Sequence, residues 1–357
     1  MLGVGMISPI IGDALEDAPN AELVAVGSRT LARAEKFILR YTTAKAYGSY
    51  DAVLDDADVD IVYLPLPTSL CYEWTMKCAE KNKHVLVDKP LPPADQLKEM
   101  IEVCRSKGLV IMDGTHFVHS SRMQRIVEAA RSGEIGKLRR VNCCCRWHMP
   151  VDNIRFKTEL EPFGALGDLG WYCIKFGLSV CGFENKVIKV HADSVRHPET
   201  KSITAAVCSV FFEDGKSMMF DCEFNGAGAN YWGEVIGGTG SMYVEDFVLP
   251  YKGSTAVCKK EELSPDFPYY KSKNLKITEE GNFQEIFPPA TEKIVVTNTH
   301  GLSQCALMFE DFREAMEDPE KADRWAMEAL ATQTVLDTLY EETKRDSAWS
   351  DHANSSY

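Results

Sequence analysis

The sequence predicts an α/β domain with a doubly wound parallel sheet, followed by an α+β domain with an open, mostly antiparallel sheet. Up to about residue 120, short β-branched runs alternate with helical stretches, which is typical of a parallel sheet covered by helices. Beyond about residue 135, longer strand-like runs dominate. Because 357 residues exceed one ordinary core, we assign residues 1–120 to the first domain, 121–345 to the second, and 346–357 to a polar tail.

The first domain alternates strands with helices in a regular order. The expected strands are residues 23–27, 61–64, 84–87 and 110–112, and the expected helices are residues 31–41, 71–81 and 94–107. Each strand is a short β-branched run, and each helix carries apolar residues at helical spacing.

The second domain has a different pattern. The expected strands are residues 138–147, 187–193, 204–212, 217–224 and 240–244. Glu213-Asp214-Gly215 separates two of them as a hairpin turn. Helices are expected at about 168–180 and 304–344, and an antiparallel sheet is the simplest account of the strands.

Composition narrows the possible partners and the compartment. A net charge of -14 disfavours nucleic acid and anionic membranes, and no apolar window reaches the ~20 residues of a membrane span. Twelve cysteines without regular spacing indicate reduced thiols and predict a cytoplasmic protein. Cys143-Cys144-Cys145 lies in a strand-like run, where side chains alternate between faces, so buried thiols are favoured over a metal site.

A glycine turn at the N-terminus predicts dinucleotide binding. Gly3, Gly5, Met6, Ile7 and Ser8 follow the G-x-G-x-x-small pattern of the Rossmann fold. Its glycines let the backbone approach a pyrophosphate at a helix N-terminus. The pattern alone is weak, but a second strand follows about twenty residues later, where the adenosine ribose should lie.

Basic residues after that second strand favour NADP over NAD. Ser28-Arg29 and Arg33 stand where NAD enzymes usually place a carboxylate for the ribose hydroxyl. Two arginines four residues apart can hold a 2'-phosphate. The alternative is a solvated helix start that happens to be basic.

The strand expected before the glycine turn is missing, since only Met1 and Leu2 precede Gly3. That strand is central in a doubly wound sheet, and its loss would expose the edges of its neighbours. We therefore expect either a chain shortened at its N-terminus or another segment in the gap.

Lys89 follows the strand at 84–87 and precedes Pro90. In an open parallel sheet, ligands bind at this end of the strands. We expect partial burial beside a cofactor to lower the Lys89 pKa towards neutrality, so that the amine can exchange a proton with a substrate hydroxyl. The alternative is an ordinary surface lysine.

Asp168 and Tyr172 are four residues apart in the helix that begins the second domain. Such residues share one helix face, which could look towards Lys89. A tyrosine close to an ammonium can act as acid or base while a carboxylate orients the pair. The alternative is a helix-capping aspartate and a packed tyrosine.

These motifs, in this order and spacing, resemble the glucose-fructose oxidoreductase and inositol dehydrogenase family. The chain looks most like the branch of dimeric trans-dihydrodiol dehydrogenase and NADP-dependent D-xylose dehydrogenase. The resemblance covers about residues 1–345 and is carried by the glycine turn, Pro65-Leu66-Pro67-Thr68, Asp88-Lys89-Pro90 and the Gly-Asp-x-Gly-x-Tyr helix. It implies a Rossmann domain followed by an open sheet that is often used for dimerisation, hence a homodimer.

The resemblance also implies roles for single residues. Lys89 matches the lysine of the family's Glu-Lys-Pro motif, Tyr172 its catalytic tyrosine and Asp168 the supporting aspartate. Arg29 and Arg33 match the arginines that hold the NADP 2'-phosphate. Cofactor contacts are implied for the remaining motif residues Gly3, Gly5, Met6, Ile7, Ser28, Pro65, Thr68, Asp88 and Pro90. The chain departs from the family with Asp88 in place of glutamate and Cys71 in place of a frequent histidine.

We expect hydride to pass between NADP and the hydroxyl-bearing carbon of a sugar, polyol or cyclic diol. Tyr172 would exchange the hydroxyl proton, Lys89 would stabilise the alkoxide and Asp168 would orient both. Arg122 and Arg155 are candidates for substrate contact. Two alternatives stay open, namely a catalytically silent NADP-sensing protein that binds a partner, and an oxidoreductase that never releases its cofactor.

Overall fold

The computed structural model describes residues 1–41, 43–225, 229–244, 246–249 and 302–345, together with four strands between residues 267 and 296. The predicted tail at 346–357 lies outside the described residues. Two sheets dominate the structure, a parallel one followed in the chain by a mostly antiparallel one. The predicted fold class is therefore confirmed.

The first sheet is parallel and carries helices between its strands. Its strands are β1 (Ala25–Gly27), β2 (Lys45–Tyr47), β3 (Ile61–Leu64), β4 (His84–Val87) and β5 (Ile111–Asp113). Its helices are α1 (Ser8–Asp17), α2 (Leu31–Ile38), α3 (Tyr50–Leu54), α4 (Thr68–Glu80) and α5 (Ala94–Ser106). β1 pairs with β2, and β4 lies between β3 and β5, all in parallel.

The first two residues join these two groups of strands, although the described residues contain no strand before the glycine turn. Leu2 forms a parallel bridge with Gly27, and its N–H donates to the carbonyl of Tyr63 at 3.0 Å. The N–H of Gly27 in turn donates to the carbonyl of Met1 at 2.9 Å. Leu2 is fully buried. These contacts cover part of the edges that were expected to be exposed. The expectation of a shortened chain or of another segment in the gap stays a prediction.

The second sheet has eight strands within the described residues. They are β6 (Leu138–Arg146), β7 (Val187–Arg196), β8 (Ile203–Phe212), β9 (Ser217–Glu223), β10 (Gly233–Gly237), β11 (Ser241–Val244), β12 (Phe267–Lys271) and β15 (Lys293–Val296), and β13 (Leu275–Ile277) pairs separately with β14 (Phe283–Glu285). The sheet order is β15-β12-β11-β10-β6-β9-β8-β7. Only the central pair β6 and β9 is parallel.

Five more helices lie in the described part of the chain after residue 120. They are α6 (Ser121–Arg131), α7 (Gly164–Asp168), α8 (Gly170–Cys181), α9 (Gln304–Glu317) and α10 (Pro319–Glu342). Of these, α7, α8 and α10 pack on the second sheet. α8 is buried against β6 and β9, whereas α9 packs against α1, so that Phe309 and Phe312 join the core of the first sheet. The division near residue 120 stays a prediction, because the C-terminal helices contact both sheets.

The opposite face of the second sheet is open among the described residues. Val207, Met219 and Tyr243 project from it with 53%, 44% and 39% of their surface exposed. Residues of β6, β8 and β9, together with Val195 of β7 and Trp232, line a shallow depression of about 720 Å³. Elsewhere, no described helix is both long and apolar enough to cross a membrane.

Candidate active site

Lys89 lies at the carboxyl edge of the parallel sheet, directly after β4 and Asp88. Its ammonium Nζ donates to Asp168 Oδ1 and to the Asp168 backbone carbonyl, both at 2.8 Å. Only 9% of each of these two side chains is exposed. The structure therefore brings together a residue of the first sheet and a residue of the helical layer on the second.

A break between α7 and α8 makes this contact possible and corrects the prediction of one helix over 168–180. α7 ends at Asp168 and α8 begins at Gly170. The N–H of Tyr172 donates to the carbonyl of Leu169 at 3.2 Å instead of to that of Asp168. The Asp168 carbonyl is thus left to accept from Lys89, and the two predicted site residues lie on separate short helices.

Asp168 is held ionised by two cations. Arg155 Nε lies 2.7 Å from Asp168 Oδ2, opposite Lys89 on Oδ1. Burial alone would raise the Asp168 pKa, but Arg155 and Lys89 outweigh it and hold this pKa well below its usual range. Arg155 was expected to contact substrate. The structure shows it paired with Asp168 and with Asn153 Oδ1 at 3.3 Å, and a substrate contact stays a prediction.

The prediction of a lowered Lys89 pKa is wrong for this structure. Burial does act to lower the pKa, but the carboxylate of Asp168 and the neighbouring Tyr172 act more strongly, so the Lys89 pKa is raised. The ammonium is therefore charged throughout the physiological range. Its chemistry is that of a fixed positive charge, not of a proton carrier.

Tyr172 lies beside this charge. Lys89 Nζ is 4.5 Å from the centroid of the Tyr172 ring, within the range of a cation–π contact. Burial raises the Tyr172 pKa, and Lys89 opposes that rise only in part. The phenol is therefore protonated at neutral pH. The rings of His116 and Phe117 flank it, with centroids 5.9 Å and 6.2 Å away.

Asp88 and Pro90 frame the lysine. The N–H of Lys89 donates to Asp88 Oδ1 at 3.0 Å, and the Lys89–Pro90 peptide bond is cis. Burial raises the Asp88 pKa to about 6, against the effect of Lys89. A Cβ at Gly114 would lie 3.2 Å from Asp88 Oδ1. Glycine there lets the end of β5 approach this carboxylate closely.

The glycine turn fits a dinucleotide. Gly3 has φ +114°, a conformation that favours glycine, and no atom lies within 4 Å of the position a Cβ would take on Gly5. Ser8 Oγ accepts from the N–H of Gly5 at 2.9 Å and fixes the turn at the start of α1. An open backbone at a ten-residue helix N-terminus is suited to a pyrophosphate. Met6, 69% exposed, and the half-buried Ile7 border this opening.

Arg29 and Arg33 are exposed at the end of β1, where the ribose of a dinucleotide is expected. Arg33 Nη2 lies 3.4 Å from the carbonyl of Val4 in the glycine turn. Ser28 is buried, and its N–H donates to the carbonyl of Tyr47 at 3.0 Å. The two guanidinium groups thus stay available to an anion, whereas Ser28 belongs to the sheet.

Thr68 begins α4 and contacts Glu161, a residue that the sequence reasoning missed. Thr68 Oγ1 donates to Glu161 Oε2 at 2.5 Å, and the Thr68 N–H donates to Oε1 at 3.3 Å. Burial raises the Glu161 pKa to about 7 despite these hydrogen bonds. Pro65 lies nearby, with its carbonyl 3.5 Å from the Cβ position of Gly3. No sequence motif marked Glu161, which is 93 residues from Thr68.

Arg122 and His116 are buried beside the region around Lys89, Asp168 and Tyr172, which we call the cleft. Arg122 Nη2 donates to the carbonyl of Phe247 at 2.7 Å, and burial lowers the Arg122 pKa to about 10 against the effect of Asp246. Its expected substrate contact stays a prediction. His116 follows β5 at the same edge as Lys89, a position that the strand-end rule could have singled out. Among the described residues, no cluster of potential metal ligands is found.

An open glycine turn next to a parallel sheet, with a lysine, an aspartate and a tyrosine at its carboxyl edge, is typical of dinucleotide-binding oxidoreductases. Two family models agree. Residues 1–115 match the oxidoreductase family with an NAD-binding Rossmann fold, and residues 123–243 match the GFO/IDH/MocA C-terminal domain. The chain belongs to the GFO/IDH/MocA family of oxidoreductases, which confirms the resemblance drawn from its motifs.

Individual relatives are similar over part of their length. The dTDP-3,4-didehydro-2,6-dideoxy-alpha-D-glucose 3-reductase of Saccharopolyspora spinosa is 37% identical over 44% of this chain and 48% of its own. The trans-1,2-dihydrobenzene-1,2-diol dehydrogenase of Macaca fuscata fuscata is 33% identical over 55% and 59%. The chain thus spans about half the length of the curated relatives it matches.

The fold is shared over nearly the whole chain. A 3-ketoreductase from Actinomadura kijaniata, solved with NADP and TDP-benzene, superposes with a TM-score of 0.81. The match covers 96% of both chains at 22% sequence identity. At that identity the likeness describes the architecture alone.

Proposed function

We propose that this protein is an NADP-dependent oxidoreductase that transfers a hydride between the nicotinamide and a hydroxyl-bearing carbon of a sugar, polyol or cyclic diol. The observation that carries the proposal is the group formed by Lys89, Asp168 and Tyr172 at the sheet edge. The named activities of the relatives, a sugar-nucleotide reductase and a diol dehydrogenase, support this substrate class.

The bound cofactor supplies the hydride acceptor or donor, and the chain's own residues handle the proton. Tyr172 exchanges it with the substrate oxygen. Lys89 stays charged, stabilises the developing alkoxide and favours the phenolate over what burial alone would allow. Asp168, neutralised from its other side by Arg155, keeps the ammonium in place.

The protonation state of Tyr172 has a different consequence for carbonyl reduction than for alcohol oxidation. Tyr172 is protonated at neutral pH, because burial raises its pKa. In the direction of carbonyl reduction it is ready to donate its proton. In the direction of alcohol oxidation it must first lose that proton, so oxidation is expected to be slow at neutral pH.

Arg29 and Arg33 support a preference for NADP over NAD. Both are exposed beside the glycine turn, and two guanidinium groups match the geometry of a phosphate. The 2'-phosphate is absent from NAD, so these residues distinguish the two cofactors.

A homodimer that pairs the open faces of two second sheets completes the proposal. The exposed Val207, Met219 and Tyr243 form an apolar surface of the kind that marks an interface. Light scattering coupled to gel filtration should give twice the chain mass, and Val207→Glu should give the chain mass. The eleven described cysteines are all buried, and no disulfide joins any two of them, which supports a cytoplasmic location.

The test of the activity is the ultraviolet absorbance of the reduced nicotinamide, followed with NADP or NAD and a panel of aldoses, inositols and cyclic diols. The reverse reaction is followed with NADPH and the matching ketones. We expect turnover with one class of these compounds and with the phosphorylated cofactor. Silence in both directions, with NADP binding retained by fluorescence, would favour a catalytically silent NADP sensor instead. Cofactor that stays bound through gel filtration would identify an oxidoreductase that never releases it.

A further inference from the structure

His116 lies in the cleft and has no role in the reaction proposed above. It begins the 3-10 turn His116–His119, which follows β5 at the same sheet edge as Lys89. Its ring centroid is 5.9 Å from that of Tyr172, and 7% of the residue is exposed. An imidazole beside the proton-exchanging phenol is within reach of a substrate that the phenol contacts.

Gln304 determines which nitrogen of this imidazole carries the proton. Gln304 Nε2 lies 2.8 Å from the carbonyl of Val248 and 2.7 Å from His116 Nδ1. A backbone carbonyl only accepts, so the amide NH₂ and not the amide oxygen must face Val248. The second N–H of the same amide then points to His116 Nδ1, which must accept it. The proton of a neutral His116 is therefore on Nε2.

The surroundings keep this imidazole neutral. Burial lowers the His116 pKa to about 3, and the positive charges of Lys89 and Arg122 act in the same direction. A neutral ring with its acceptor nitrogen occupied has one remaining polar function, the Nε2–H donor. Nε2 lies on the side of the ring away from Gln304.

We propose that His116 is a substrate-binding residue whose Nε2–H donates to an oxygen on the carbon next to the reacting carbon, with Gln304 as the residue that positions it. The inference rests on the proposed oxidoreductase function and narrows its substrates to vicinal diols and α-hydroxy carbonyl compounds. Two rings 5.9 Å apart can each reach one of two adjacent oxygens at ordinary hydrogen-bond distances of about 3 Å.

Matched substrates test this inference. trans-1,2-Cyclohexanediol is compared with cyclohexanol, and D-glucose with 2-deoxy-D-glucose, each pair differing by the second oxygen. Wild type should favour the vicinal compound in kcat/KM. His116→Phe should reduce that preference by about 10-fold, the value of one neutral hydrogen bond. His116→Gln, which keeps an N–H donor, should retain most of it. An unchanged preference in His116→Phe would overturn the proposal.

A second measurement does not depend on turnover. Nitrogen-15 spectra of histidine-labelled wild type should show His116 protonated on Nε2 only. Gln304→Leu should lose this single tautomer and part of the vicinal preference, with thermal unfolding as the check that the variant is folded. Protonation of Nδ1 in wild type would refute the inference.

These experiments separate failure of the inference from failure of the proposed activity. If no pair is turned over, the same preference is measured from dissociation constants for the NADP complex, read by fluorescence. A vicinal preference that disappears in His116→Phe would then uphold the binding role while the activity fails. Equal affinities within each pair for wild type would reject the binding role.

Discussion

Replacing Lys89 with methionine removes a charge while it keeps an unbranched side chain of similar length. The ammonium lies 4.5 Å from the centroid of the Tyr172 ring. Two unit charges about 4.5 Å apart interact by roughly 3.7 kcal/mol at an effective dielectric constant of about 20, which corresponds to a factor of roughly 500 in rate. We therefore expect kcat to fall by about 500-fold, in the range found when one oxyanion donor is removed.

The assay combines steady-state turnover with NADP binding by fluorescence, which should be unchanged in Lys89→Met. Lys175→Met is a control for the loss of a buried lysine charge, because Lys175 Nζ lies 2.7 Å from Asp113 Oδ2 and both side chains are fully buried. Breaking that pair should lower the free energy of unfolding by about 3–5 kcal/mol without slowing the folded enzyme. A Lys89→Met enzyme within about tenfold of wild type in kcat would refute the electrostatic role.

Four further outcomes are expected. Tyr172→Phe should lower kcat by roughly 10²–10⁴-fold with unchanged NADP binding. In wild type, the rate of alcohol oxidation should rise with pH and the rate of carbonyl reduction should not, since the Tyr172 pKa is raised. Parallel pH profiles for the two directions would contradict this. Replacing Arg29 and Arg33 with alanine should weaken NADP binding by roughly 10-fold or more and leave NAD binding unchanged, as measured by fluorescence titration. Burial raises the Glu161 pKa from 4.5 to about 7, so between about pH 4.5 and pH 7 the folded state binds more protons than the unfolded chain. The contribution of the protonated Glu161 carboxyl to the free energy of unfolding is therefore lost as the pH rises through this window. Urea unfolding at about pH 6 and about pH 8 should show a smaller pH dependence for Glu161→Gln than for wild type.

The sequence predicted the first and last residues of a strand well where the strand is strongly apolar. The strands at 61–64 and 84–87 have the expected bounds, because β-branched runs there end abruptly at polar residues or proline. β10 was missed, since Gly233–Gly237 has a glycine at each end and only two β-branched residues. Its place in the sheet comes from pairing with β6 and β11.

The site was predicted where local motifs mark it and missed where distant partners define it. Lys89 and Asp168 were expected at one cleft, and they meet there. The direction of the Lys89 pKa was wrong, because burial was considered without the carboxylate that lies 79 residues away. The tautomer of His116 depends on Gln304, 188 residues further along the chain. No local pattern records such a contact.

Hydrogen bonds between three pairs of residues join the two halves of the chain at the edge of the cleft. Lys89 bonds to Asp168, Thr68 bonds to Glu161, and the N–H of Ser69 donates to the carbonyl of Leu160 at 3.1 Å. A hinge opening between the sheets would have to break all of them together. We therefore expect NADP to enter and leave by local movement around the exposed Met6, while the nicotinamide half and the substrate half keep a constant relative orientation throughout the catalytic cycle.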